Sequence, residues 1–163
     1  KFENVWSCAA NWRPHKRLDD NIEYFFEHAP DDACLLVAGK ANNQINHPNV
    51  FYLGDVDQRV LYRVYNASTH FIHLAWLDHC PNVVVDARAC GCKIICSSSG
   101  GTKEIAGPDA IVIEEDEWNF EPINLYQPPE MNFSRKINNV WDIDYNMSEV
   151  ARKYVDFMGK LSV

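Results

Sequence analysis

The stretch THFIHLAWLDHCPNVVVDARACGCKIIC, residues 69–96, decides the fold. Thr69 to Leu74 is a short apolar run without helical period, as in a strand buried on both faces. Pro81 can open a helix as its first residue, where its missing N–H costs nothing. That helix carries Val84, Val85 and Ala89 on its apolar face and ends near Gly91, before a second buried run, Lys93-Ile94-Ile95-Cys96. The unit is strand, helix, strand.

The same alternation extends in both directions. Upstream, Val5 to Ala10 predicts a strand and Asn11 to Lys16 a polar loop. From Arg17 the apolar residues Leu18, Ile22, Phe25 and Phe26 recur at helical spacing until His28-Ala29-Pro30. Two more buried-strand candidates follow, 33–38 closed by Gly39 and 49–53 closed by Gly54. Next comes a helix over 57–66 with Val60, Leu61, Val64 and Tyr65 on one face. Downstream, Ser97 to Gly101 is a turn-rich loop, 102–106 a short helix and 110–113 another strand. Strands alternating with helices predict an α/β fold, a Rossmann-like three-layer sandwich with a mostly parallel sheet. After Ile113 the acidic run Glu114 to Glu117 leads into an arm rich in Pro, Asn and aromatics, read over about 114–146 as wrapping the surface. A closing amphipathic helix is predicted from about 147 to 161, with Ser148 as N-cap and Val150, Tyr154, Phe157, Met158 and Leu161 on its apolar stripe.

With 163 residues, 47% hydrophobic and 23% charged, the chain suits one domain with its own core. A net charge of -8 argues against nucleic acid as a partner, since such binders carry a basic face. No apolar run approaches the ~20 residues of a membrane span, and Lys1-Phe2-Glu3 does not open like a signal peptide. The six cysteines, Cys8, Cys34, Cys80, Cys90, Cys92 and Cys96, lie mostly in apolar runs and read as buried free thiols. Cys90, Cys92 and Cys96 lack the second ligand pair of a zinc site. Asn-x-Ser triplets at Asn66, Asn132 and Asn146 decide nothing alone.

Ligands of an open parallel sheet bind at the carboxyl ends of its strands. Three predicted loops there carry chemistry. The first brings Arg13 and Lys16 directly after the first strand, two cations able to neutralise a diphosphate. The second runs from Leu77 to Asp86, with Asp78 before a helix N-terminus that offers free N–H groups to a phosphate. Asp86 lies in that helix's second turn and is expected to face a polar group such as a ribose diol. In the third, Gly100 and Gly101 allow close backbone approach to a ligand.

These segments resemble glycosyltransferase family 4, the glycosyl transferases group 1. The resemblance covers roughly residues 5 to 113. Asp78 to Ile95 is similar to the family's Glu-x7-Glu segment, at the same spacing but with Asp for both Glu. His79-Cys80-Pro81-Asn82 stands where the family has a glycine-rich stretch. Asn49 to Gly54 resembles the family's N-V-x-F-x-G strand, Gly100 to Ile105 its G-G-x-x-E-I turn, and Trp12 to Lys16 its Arg/Lys loop.

The resemblance implies the donor-binding, C-terminal half of a GT-B enzyme that transfers sugar from a nucleotide-sugar with retention. It implies no cofactor or metal, a UDP- or GDP-linked donor as substrate, and an N-terminal acceptor domain outside this chain. Carried over by position, Arg13 and Lys16 stabilise the donor diphosphate and Asp78 meets sugar hydroxyls. Asp86 accepts from the ribose, and Asn82 and Val83 offer backbone N–H groups to phosphate. Gly54, with Asp55 and Val56 after it, lies by the base, and Gly100, Gly101 and Glu104 shape the adjoining wall. A cytoplasmic parent enzyme is expected, with this domain inactive alone. Three other classes share parts of the pattern: a dehydrogenase, disfavoured by the lack of G-x-G-x-x-G after the first strand, a GT-B sugar-nucleotide epimerase, and a non-catalytic nucleotide-sugar-binding module.

Overall fold

The computed structural model describes residues 2–142 and 146–161, so residues 143–145 of the expected arm lie outside the described residues, as does the side chain of Leu161. Six strands, β1 (Asn4–Ala9), β2 (Ala33–Ala38), β3 (Val50–Gly54), β4 (His70–His73), β5 (Lys93–Ser97) and β6 (Ile111–Ile113), pair in parallel. A seventh, β7 (Lys136–Asn138), joins β6 antiparallel, giving the order β3-β2-β1-β4-β5-β6-β7. This is the doubly wound arrangement, whose direction of growth reverses between β1 and β4.

Successive side chains on a strand point to opposite faces, and the neighbours Phe71/Ile72 and Ile94/Ile95 divide the core accordingly. One face packs Phe71, Ile94, Cys96 and Val112 under α2 (Gln58–Ala67), α3 (Asn82–Ala89) and α4 (Thr102–Ile105). The other holds Trp6, Leu35, Ile72, Ile95 and Ile113 and has one connecting helix, α1 (Leu18–His28), which contributes Ile22, Tyr24 and Phe25. One helix is too narrow to cover that face. The segment after β6 completes it, inserting Phe133 against Tyr24 with ring centroids 5.2 Å apart and packing Met131 on the same cluster. The arm is therefore a structural cover rather than a purely superficial wrap, and burying the Phe133 ring contributes about 1.5–3 kcal/mol.

The sequence reading gave the arm no strand. β7 is three exposed residues, and only the hydrogen-bonding edge of β6 makes them a strand. β3, expected to be buried, is an edge strand with Phe51 and Leu53 exposed. Pro81 is the N-cap of α3 and not its first residue, and α3 buries Val84 and Ala87 while Ala89 faces solvent. The closing helix α5 (Met147–Leu161) is capped by Asn146 rather than Ser148, the Asn146 Oδ1 accepting from the N–H groups of Ser148 at 3.0 Å and Glu149 at 3.3 Å. All six cysteines are free. Cys8, Cys34, Cys92 and Cys96 are buried, and burial raises the Cys92 thiol to about 11 and that of Cys96 to about 12, but Cys80 is exposed and Cys90 half-buried.

Candidate functional site

The reversal between β1 and β4 opens a crevice at their carboxyl ends, and the loops after β1, β4 and β5 meet there. After β1 the chain makes one 3-10 turn, Pro14–Lys16, and Arg17 then adopts a left-handed backbone (φ 52°) before α1 begins. That abrupt turn aims Lys16 across to the loop after β4, where its ammonium pairs with the Asp78 carboxylate. His73, the last residue of β4, is buried and places Nε2 2.9 Å from the same Asp78 oxygen.

Burial works to raise the Asp78 carboxyl. The hydrogen bonds from His73 and Lys16, with the positive charge of Lys16, outweigh burial and hold it well below the usual carboxylate range. Burial lowers His73 and overrides the pull of Asp78, so the imidazole is neutral at pH 7. An ionised carboxylate only accepts, so Nε2 carries the ring proton and donates it to Asp78. An ammonium has three donors. Asp78 uses one, and Lys16 is thereby oriented with capacity left for a second anion.

Gly100 and Gly101 serve this loop more directly than expected. The backbones of Asp78 and Gly100 form a parallel bridge, and the Gly101 N–H donates to Asp78 O at 3.0 Å. A Cβ on Gly100, whose φ is 74°, would lie 2.4 Å from Asp78 O, and one on Gly101 2.2 Å from His79 O. The close approach these glycines permit is to the Asp78 loop itself. Gly100→Ala is expected to lower stability by about 1–3 kcal/mol through left-handed strain and to pull Asp78 away from Lys16. Urea unfolding checks this, and a wild-type midpoint would contradict it.

A second cleft, about 190 Å³, opens beyond the ends of β1, β2 and β3 and is lined by Ala9, Ala38, Gly39, Asp55, Val56 and Val83, among others. Gly54 precedes it and accepts from the Gly39 N–H at 2.8 Å. α3 begins beside it without a side-chain cap, so the N–H groups of Asn82 and Val83 are among those a helix leaves without an intrahelical partner.

The other predicted residues are dispersed. Arg13 is exposed in a separate cleft of about 380 Å³ with Trp12, Asn42 and Asn43. Asp86 is half-buried on α3 and lines neither cleft; its charge adds to burial in raising the Tyr65 hydroxyl. Glu104 is half-buried in α4, its N–H on Gly101 O at 3.1 Å, and it too lines neither.

The sequence reading missed two residues. His73 lay in an apolar strand run whose end faces the crevice. Arg17 is buried beneath the first loop, its guanidinium forked onto Glu115 at 2.7 and 2.9 Å and donating to Leu74 O at 3.3 Å and Pro129 O at 2.8 Å. Glu115 also accepts from the Ser97 hydroxyl at the end of β5. This network ties the arm to all three crevice loops.

The sequence profile of a family described as glycosyl transferases group 1 matches residues 3–121. No curated protein matches the chain. Among solved structures, Anabaena Alr3699/HepE in complex with UDP-glucose is similar at TM-score 0.60 and 16% identity, over 71% of this chain and 36% of that one. WaaG, a glycosyltransferase involved in lipopolysaccharide biosynthesis, is similar at TM-score 0.54 and 18% identity, over 71% and 34%. The catalytic domain of Arabidopsis thaliana Starch Synthase IV, bound to ADP and acarbose, is similar at TM-score 0.62 and 13% identity, over 96% and 38%. At these identities the likeness is one of fold, the Rossmann-like fold of GT-B glycosyltransferases. The chain spans 34–38% of the length of these three structures.

Proposed function

The chain belongs to the glycosyl transferases group 1 family, and from that premise we propose that it is the C-terminal, donor-binding domain of a retaining family 4 glycosyltransferase. The observation that carries this reading is the placement of Lys16, oriented by Asp78 and His73, at the β1/β4 crevice. The cleft of Val56 and Val83 and the uncapped start of α3 open at the same end of the sheet. A nucleoside diphosphate fits that arrangement in parts: base and ribose in the cleft by Val56, and diphosphate on the N–H groups of Asn82 and Val83 and the Lys16 ammonium.

Loss of the nucleotide diphosphate from the sugar leaves negative charge on the departing phosphate. Lys16 is held where a fixed cation opposes that charge, which is electrostatic stabilisation needing no metal. Arg13 is exposed, has no ion-pair partner among the described residues and adds a second cation from the same loop. Asp78 keeps one carboxylate oxygen engaged by both partners, and the other accepts from sugar hydroxyls. Gly100, Gly101 and Glu104 back the loop. The acceptor side comes from a second domain, in a parent enzyme working in the cytoplasm, and this domain alone transfers little.

Titrating the domain with UDP, GDP, ADP and their sugars while following thermal unfolding tests the reading, because a ligand that binds the native state stabilises it. The expected result is a selective rise with a UDP- or GDP-linked ligand that disappears in the Arg13→Ala, Lys16→Ala double variant. A response to no nucleotide would contradict it.

A further inference from the structure

A third cavity, about 400 Å³, lies between the Leu77–His79 loop, the Gly100 turn and the start of the arm. Its volume is within the roughly 300–1,000 Å³ of small-molecule sites. Lys16, His73, Asp78 and Val83 do not line it. It shares a wall with the donor crevice and is separate from it.

The arm side of this cavity is aromatic at a cost to the fold. Phe120 is 82% exposed and holds a left-handed backbone, φ 66°. A bulky residue there costs about 1–3 kcal/mol, and the strain gains no burial in the core in return. The ring of Trp118 stands 5.0 Å from that of Phe120 at 41°, an open V, and its Nε1 donates to Glu121 O at 2.8 Å, which fixes the indole. The polar groups are also arranged. Arg135 engages Glu114 at 3.2 Å and Asp116 at 3.1 Å, which leaves Glu117 as the carboxylate of this wall without an ion pair among the described residues. Lys103 and His79 face it from the other side.

We propose that this cavity is a saccharide subsite in which a pyranose ring stacks on Trp118 and Phe120 with its hydroxyls on Glu117, Lys103 and His79. A pyranose is itself two-sided, with C–H groups on its faces and hydroxyls at its rim. Its weakly positive C–H face suits the negative face of an aromatic ring. The rim suits donors and acceptors standing opposite each other across the cavity. A lipid chain would leave Glu117 and Lys103 unanswered, and a nucleotide would bring its phosphates against Glu117 and Asp116. The proposal deepens the transferase reading and rests on it for the source of the sugar: the acceptor saccharide, or the sugar end of the donor reaching past His79.

Two signals in one heteronuclear NMR titration of the domain separate these cases. The Trp118 indole N–H, assigned by its absence from the spectrum of Trp118→Phe, reports on the subsite. The amides of Val56 and Val83 report on the nucleotide. Methyl glucosides, methyl mannosides, maltose and lactose without nucleotide are expected to shift the indole signal, which supports an acceptor subsite. A shift with UDP-glucose or GDP-mannose but with neither UDP nor GDP supports the donor's sugar. Trp118→Ala is expected to weaken the sugar response about tenfold with the Val56 response to nucleotide intact; Phe120→Ser, which removes the second ring, is expected to do the same. If nucleotides move Val56 and Val83 and no sugar in either form moves Trp118, the subsite is wrong and the donor reading stands. If sugars move Trp118 and no nucleotide moves Val56, the donor reading fails and the subsite stands.

Discussion

Replacing Arg17 with Met lowers the stability of the fold by about 3–5 kcal/mol, and the unfolding midpoint by about 6–20 °C for a chain of this size. Arg17 and Glu115 are a buried pair, with side chains 1% and 6% exposed. Methionine keeps most of the stem volume and removes the charge. It leaves a buried carboxylate held only by the Ser97 hydroxyl, and the carbonyls of Leu74 and Pro129 without their donor. The cost comes chiefly from that orphaned charge, since a buried ion pair as a unit is close to neutral against an apolar replacement.

That asymmetry gives the test a second arm. The double variant Arg17→Met, Glu115→Gln removes both charges together and is expected to regain a substantial part of the loss. Urea unfolding of the wild type, both single variants and the double variant measures the coupling. A single Arg17→Met variant within about 1 kcal/mol of wild type would show that water reaches Glu115 and that the pair is not the arm's anchor.

Much of the sheet was readable because buried parallel strands leave a local mark: apolar runs such as Ala33 to Ala38 and Lys93 to Cys96, each closed by a glycine or a turn. β7 left none. Lys136, Ile137 and Asn138 are exposed, and their conformation comes from the edge they meet rather than from their own sequence. The same holds for the arm. Phe133 covers a sheet face that lacks a second helix, a shortage that can be seen only once the helices have been assigned to faces.

The site divides in the same way. Lys16 was legible as a cation directly after the first strand and Asp78 as the acid before a helix N-terminus, and the structure joins them across 62 residues. Arg17 sits beside two other cations, and its partner lies 98 residues away inside the acidic run Glu114 to Glu117, where neither residue looks unlike a solvated charge. Their burial follows from topology, because the turn after β1 and the exit from β6 both end on the crevice floor. Asp86 was read from its place in the second turn of α3 and Glu104 from resemblance, and neither lines the cleft by Val56 or the one by Trp12.

Lys16→Met is expected to reduce transfer by the enzyme that contains this domain by about 10²–10³-fold in kcat, the usual effect of deleting one preorganised group that opposes developing negative charge. The ammonium is positioned before any substrate arrives, because Asp78 fixes it and His73 fixes Asp78. Its help therefore carries little reorganisation cost during the reaction. On the reading proposed above, ground-state donor binding also uses the backbone N–H groups at the start of α3, so KM for the donor should change less than kcat, marking an interaction that strengthens in the transition state. Lys16→Arg keeps the charge but replaces a compact ammonium with a planar fork, and partial recovery is expected. Arg13→Ala, which removes an exposed cation without a fixed partner, should have the smaller effect of the two loop substitutions. Steady-state kinetics on the three variants separates these cases. Equal losses for Lys16→Met and Arg13→Ala would mean that the loop acts by net charge alone, and an unchanged kcat in Lys16→Met would leave the Lys16–Asp78–His73 cluster with a structural role only.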